Sequence, residues 1–321
     1  MSKTKKNIFV VGPGRWGSFI AWYLDSIGHD VTLYGRKSSN KMQALMETRQ
    51  NEYLKLSDTL KLTTDITKVN DADIVVISVP SQNLADVCSQ LSCKNKTIVL
   101  CMKGLDIKTG KRLSEIAKDN LDVSNKVAIW VGPGHVRNFY EGVPNCMIID
   151  SENMEIKGLL VEAFSSDLIR FYYGEDIIGN EIGAAAKNVI GIAAGMLDGL
   201  NLSSLKGALM ARGTHEISRL IKAMGGKPES AYGLCLLGDY EATLFNKNSH
   251  NLSFGRDFVE GKNYQKLAEG YYTAEAIHNI SQDKYVETPI CEAVYQVLYN
   301  QLNPSKAMDM LFKRNLKGEL Q

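Results

Sequence analysis

The pattern that most constrains this chain is a change of period near residue 178. Up to that point seven short apolar runs, NIFVV, DVTLY, DIVVISVP, TIVLCMKG, KVAIWVGPG, CMIID and IRFYY, alternate with stretches of helical spacing. Parallel strands need a crossover between them, so the alternation predicts a mostly parallel sheet with helices on both faces. From Glu181 onward the strand-like runs cease. Long stretches of helix formers follow, broken at MGGKP (224–228), NKNSHN (246–251) and VETP (286–289). The expected fold class is α/β, with a sheet domain over residues 1–178 and an all-helical domain over 179–321.

A length of 321 residues suits two domains, each able to bury a core. With 37 basic and 36 acidic residues the net charge is +1, so no global field recruits nucleic acid or an anionic membrane. An anionic ligand must be caught locally. The six cysteines show no metal-type spacing, which predicts reduced thiols, no metal and a cytoplasmic location. No run of about eighteen apolar residues argues for a membrane span. The N-terminal apolar run breaks at Gly12 and reads as a first strand, not a signal peptide.

After that first strand stand Gly12, Gly14 and Gly17, with Arg15 and Trp16 inside the same turn. In G-x-G-x-x-G the first glycine permits the tight turn and the second lets the backbone approach a pyrophosphate. The third lets the helix pack closely, so that its N-terminal amides face the phosphates. The first domain is therefore expected to be of the Rossmann type and to bind a dinucleotide. Its second strand ends in Gly35, Arg36, Lys37 and Ser38, where a site for NAD usually places an acid on the ribose 2′-hydroxyl. Two cations suit a 2′-phosphate, so NADP(H) is the preferred cofactor and NAD(H) the possible one. The plain alternative is a solvated basic loop beside an NAD site.

In the second half, Gly183, Lys187, Gly191 and Gly195 recur at intervals of four along EIGAAAKNVIGIAAGMLDGL. They fall on one helix side, where something must approach closely. An ammonium on so apolar a helix has its pKa drawn downward, a condition suited to proton transfer. A buried lysine paired with a structural carboxylate fits the spacing equally well. Lys103 follows an apolar strand, at the sheet edge where ligands bind, although alone it reads as a surface lysine. Asp239 and Thr243 lie one helical turn apart, so that Asp239 is either a partner for Lys187 or a helix cap.

These segments, with VPSQNLADV, CMKGLDIKTGKRL, ALMARGTHEISRL, LAEGYYTAEAI and ETPICEAVYQVLY, resemble the NAD(P)-dependent glycerol-3-phosphate dehydrogenases over nearly the whole chain. The resemblance implies hydride transfer between the nicotinamide and dihydroxyacetone phosphate, giving sn-glycerol 3-phosphate for phospholipid synthesis. It also implies a homodimer. By matched position Lys187 is the general acid, Lys103 polarises the substrate, and Asp239 and Thr243 complete the proton network. Asn188 and Asn251 position the substrate, while Pro80 and Glu269 contact the cofactor.

The chain departs from the family pattern where a phosphate-binding arginine is expected, since SHN places His250 there. A histidine lacks the rigid two-pronged fork of arginine and is only partly charged near neutrality. Gly134 and Asn138 likewise replace a hydroxyl residue and an acid. Either Lys247, His250 and Arg256 hold the phosphate together, or the substrate is a different phosphorylated or polyol ketone. Two rival classes remain: a 3-hydroxyacid or 6-phosphogluconate-like dehydrogenase, and a nucleotide sensor without turnover. Adjacent Lys187 and Asn188 fit the first poorly, and the retained Lys103, Lys187, Asp239 and Thr243 speak against the second.

Overall fold

The computed structural model describes residues 4–316 and 318. The chain divides into two compact units, one of residues 1–102 and 113–177, the other of residues 103–112 and 178–321. The sequence reading ran the first domain unbroken to residue 178, whereas the segment Lys103–Arg112 belongs with the helical unit. Its Leu105 side chain lies in the helical core and its Arg112 pairs with Glu181.

In the first unit eight strands form one sheet: β1 (Asn7–Val11), β2 (Asp30–Tyr34), β3 (Lys61–Thr63), β4 (Ile74–Ile77), β5 (Thr97–Leu100), β6 (Lys126–Val131), β7 (Asn145–Asp150) and β8 (Ile169–Tyr173). Their order is β3-β2-β1-β4-β5-β6-β7-β8. All neighbouring pairs are parallel except β6 with β7. Every residue of β4 and β5 is buried, as a strand covered on both faces requires. The crossovers carry α1 (Arg15–Ser26), α2 (Asn40–Thr48), α3 (Leu84–Gln90), α4 (Leu113–Asn120), α5 (Val136–Tyr140) and α6 (Met154–Phe164). Strand β3 escaped the sequence reading because its three residues, KLT, are polar at both ends and only partly covered.

The order reverses between β1 and β4, and there the loops after the two strands meet. This switch point is where open α/β sheets leave a crevice at the carboxyl ends of their strands.

The second unit is built from α7 (Ile177–Gly199), which begins at the unit boundary, α8 (Lys206–Ala223), α9 (His250–Val259), α10 (Glu269–Lys284), α11 (Pro289–Tyr299) and α12 (Pro304–Phe312). Residues 181–192 of α7 are all buried, so this helix is the axis around which the unit's core assembles. Its glycines make that possible. A Cβ on Gly195 would be driven into the carbonyl oxygen of Leu252 and to 2.8 Å from the Arg256 amide nitrogen of α9. Gly255 of α9 meets the Ile192 carbonyl in the same way, so the two helix backbones press on each other. No helix among the described residues is long and apolar enough to cross a membrane.

Candidate active site

In the first unit the turn after β1 packs on the turn after β4. Gly12 has φ +113°, and a Cβ there would collide with the carbonyl oxygen of Ser78. A Cβ on Gly17 would strike the carbonyl oxygen of Gly12, so α1 can start this close to the strand only with glycine at that place. Gly14 differs, because a Cβ there would meet nothing within 4 Å. It faces open space at the head of α1, whose N-terminus has no side-chain cap. First-turn amides without a cap are donors for an anion.

Arg36 and Lys37 are exposed just beyond β2. The absence of an acid there has a steric side: a Cβ on Gly35 would come within 2.7 Å of Pro13 and 2.8 Å of Met42, so the strand end is folded against the glycine turn. Pro80 starts a one-turn helix (Ser81–Asn83) just past β4. Arg15 lies over the Tyr53 ring, 5.9 Å from its centroid, and Trp16 meets Phe19 and Phe139 edge-on. The sterically reserved turn, the uncapped helix start and the cations beyond β2 fit a dinucleotide with a phosphorylated ribose. Gly134 is explained by packing, since a Cβ there would approach Phe139 Cζ to 2.7 Å, and that ring stacks on Phe19 at 5.1 Å. Asn138 is exposed.

The second unit holds the charged cluster. Lys187 Nζ lies 2.6 Å from Asp239 Oδ2, and Lys103 Nζ donates to the same oxygen at 2.7 Å. Lys187 Nζ also donates to Thr243 Oγ1 at 2.9 Å, and that hydroxyl donates to the Asp239 carbonyl at 2.7 Å. The threonine lone pair is thereby aimed at the ammonium. Asp239 Oδ1 is buried with no hydrogen-bond partner among the described residues. Two ammonium groups thus share one carboxylate and leave a net positive site.

Burial pulls the Lys187 ammonium from 10.5 down to about 8; Asp239 opposes that fall and the Lys103 charge adds to it. Such a lysine holds its proton at neutrality and gives it up readily.

The lysine reaches these partners because Gly191, one turn on, leaves room: a Cβ there would lie 2.7 Å from Thr243 Cγ2 and 3.3 Å from Asn251 Cβ. What approaches the glycine face of α7 is therefore the chain's own segment 236–259. Thr243 stands in a π-helical turn, Glu241–Phe245, a form often found at functional sites. Buried Lys206 fixes that turn by donating to the Leu244 carbonyl at 2.8 Å while pairing with Asp198 at 2.7 Å. Sequence reasoning missed this pair, since Asp198 and Lys206 stand on different helices joined by a turn and no single-helix spacing relates them.

Asn251 Nδ2 donates to Asn188 Oδ1 at 3.0 Å, and its own Oδ1 accepts from the Gly270 amide at 3.0 Å. Asn251 therefore caps the start of α10 and orients Asn188, whose amide NH2 remains the end with donors to offer. Glu269 is the first residue of α10. His250 begins α9, with Nδ1 3.2 Å from the Leu267 carbonyl and its ring edge-on to Tyr264. Arg256 pairs with Asp257 at 3.2 Å and Lys247 is exposed. A separate cavity of about 600 Å³, walled by aliphatic residues such as Leu197, Leu209 and Val297, includes none of the charged cluster.

Both units match the same family of known proteins. The family models described as the N-terminus and the C-terminus of NAD-dependent glycerol-3-phosphate dehydrogenase match residues 7–157 and 176–309. A glycerol-3-phosphate dehydrogenase [NAD(P)+] from Thermoanaerobacter sp. (strain X514) is 34% identical over 328 residues, covering 98% of each chain. One from Chlorobium limicola is 33% identical over 332 residues, covering 98% of this chain and 99% of the relative. Among solved structures, the glycerol-3-phosphate dehydrogenase from Coxiella burnetii superposes with a TM-score of 0.90 at 28% identity, over 97% of this chain and 99% of that one. A 2-dehydropantoate 2-reductase from Methylococcus capsulatus shares the fold alone, with a TM-score of 0.60 at 17% identity over 97% and 99% of the two chains.

Proposed function

The chain belongs to the NAD-dependent glycerol-3-phosphate dehydrogenase family, and we propose that it interconverts dihydroxyacetone phosphate and sn-glycerol 3-phosphate, with NADP(H) preferred over NAD(H) and Lys187 as the proton donor. The observation that supports this assignment of roles is the buried cluster in which Lys187 and Lys103 share one oxygen of Asp239. In the direction of reduction, a bound nicotinamide supplies a hydride to C2 of the ketone. Lys187, with its proton held loosely at about 8, protonates the developing C2 alkoxide. Lys103 polarises the same carbonyl, and the fixed positive charge of the pair stabilises the oxyanion as it forms. Asp239 keeps the two ammonium groups together, and its unpartnered Oδ1 accepts a substrate hydroxyl.

Thr243 orients Lys187, and Asn188, steered by Asn251, donates to the substrate. Gly12, Gly14 and Gly17, with Arg15, Trp16 and Pro80, would hold the cofactor's pyrophosphate, Glu269 would contact the cofactor, and Arg36 and Lys37 would take a 2′-phosphate. His250 holds the substrate phosphate. The product feeds glycerophospholipid synthesis in the cytoplasm, a location in keeping with six free cysteines, and the chain acts as a homodimer.

The experiment is oxidation of NADPH followed by absorbance, with dihydroxyacetone phosphate against dihydroxyacetone. Turnover of the phosphate ester with little or none of the free ketone is expected. Equal turnover of the two would mean that no phosphate is recognised, and absence of both would remove the assignment.

A further inference from the structure

We propose that Arg112 is a positioning residue for proton transfer, holding the Lys103 ammonium on Asp239 through its buried ion pair with Glu181. The inference rests on the roles assigned above. Residues 103–112 leave one unit, join the other and return. Each end of this excursion is a cation bonded to a carboxylate of the helical unit, Lys103 to Asp239 and Arg112 to Glu181, both at 2.7 Å.

Between these ends the segment is closed on itself. Leu105 and Arg112 form an antiparallel bridge, the Asp106 amide donates to the Lys111 carbonyl at 3.0 Å, and the Gly110 amide donates to the Asp106 carbonyl at 2.9 Å. Leu105 is buried in the helical core, and a Cβ on Gly110 would lie 2.9 Å from Ile280 Cγ1. A turn stiffened in this way moves as one body, so a shift at Arg112 is felt at Lys103.

The side chains of Arg112 and Glu181 are only 9% and 5% exposed. A charge pair so poorly hydrated does not survive loss of one member without rearrangement. Glu181 stands on α7 six residues before Lys187, which at 1.5 Å per residue is about 9 Å along a rigid axis. The helix that carries the proton donor thus also carries the anchor of the second lysine. The ion pair sets the register of Lys103 against Lys187, and a misplacement on the order of 1 Å at such a site costs up to about 10²-fold in rate.

The test is steady-state kinetics of Arg112→Gln, Lys103→Met, Lys187→Met and the double variant Arg112→Gln/Lys103→Met, with NADPH and dihydroxyacetone phosphate. Arg112→Gln is expected to lower kcat roughly tenfold, with KM for NADPH unchanged and no further loss when it is added to Lys103→Met. Its pH profile should shift as well. With Lys103 displaced, Lys187 loses a like-charged neighbour, and the basic limb of kcat/KM moves to higher pH, as in Lys103→Met. Arg112→Lys, which keeps the charge, should restore most of the rate. An unchanged kcat, a loss that multiplies onto that of Lys103→Met, or an unmoved basic limb would each overturn the proposal.

If Arg112→Gln does not fold, Glu181→Gln, which keeps the hydrogen bond and removes the charge, is read by the same criteria. Parent-like rates in Lys103→Met and Lys187→Met would instead sink the assigned roles. Impaired lysine variants beside a normal Arg112→Gln would sink the positioning role alone.

Discussion

The glycines of the turn after β1 and those of α7 look alike in the sequence, but the turn has one glycine, Gly14, that the protein leaves open and α7 has Gly191 and Gly195 closed by its neighbours. At the turn, Gly12 and Gly17 are filled by the protein's own carbonyls while Gly14 faces open space. On α7, Gly191 and Gly195 are both filled, by Thr243 and Asn251 and by the backbone of α9. At the uncapped head of α1 an open glycine leaves room for a ligand, whereas the filled stripe on α7 marks a helix crossing. What singles out Lys187 is therefore its company of Lys103, Asp239 and Thr243 and not the bareness of its helix face.

The largest expected effect separates the two regions. Lys187→Ala should reduce kcat by roughly 10³-fold while leaving NADPH binding intact in a fluorescence titration. Normal turnover would take the residue out of the chemistry. Next, the two kinds of glycine can be set against each other. Gly195→Ala forces a methyl into the α9 backbone and should cost about 3 kcal/mol in urea unfolding. Gly14→Ala should change stability by less than about 0.5 kcal/mol yet weaken NADPH roughly tenfold. Equal destabilisation by both would erase the distinction between filled and open glycines.

The pH dependence follows from the depressed value of Lys187. Its proton is present at pH 7 and is lost as the pH rises through about 8. Hence kcat/KM for ketone reduction should be level below that point and fall about tenfold per unit above it. A profile flat to about pH 9.5 would mean that another group gives the proton. Arg36→Ala should weaken NADPH roughly tenfold and NADH hardly at all; equal weakening would reassign the basic pair to a solvated loop. The smallest change expected is for His250→Arg, which should lower KM for the phosphorylated ketone about threefold through a two-pronged contact. An unchanged KM would place the phosphate elsewhere.

Much of the sheet was legible, because β1, β2 and β4 to β8 are apolar runs long enough to show a period, as KLT in β3 is not. The glycine turn and Lys187 were legible for a related reason: their constraints are local and leave a spacing in the chain. The adherence of residues 103–112 to the helical unit was not. It depends on Arg112 meeting Glu181, 69 positions away, and on Leu105 entering a core built from later helices. Contacts of that range leave no periodic trace. The same holds for Lys206, whose acceptor, the Leu244 carbonyl, is a backbone atom of no distinctive residue.

The wide turn at Glu241–Phe245 carries a consequence for how this enzyme can vary. Such a turn holds one residue more than an ordinary helical coil. Deleting Glu241 or Ala242, ahead of Thr243, would draw the segment toward the tighter α-helical winding and turn Thr243 by about 100° around the axis. Thr243 would then point away from the ammonium it now steers. By that geometry a deletion ahead of Thr243 does more harm to the site than an exchange of a solvent-facing side chain such as Glu241.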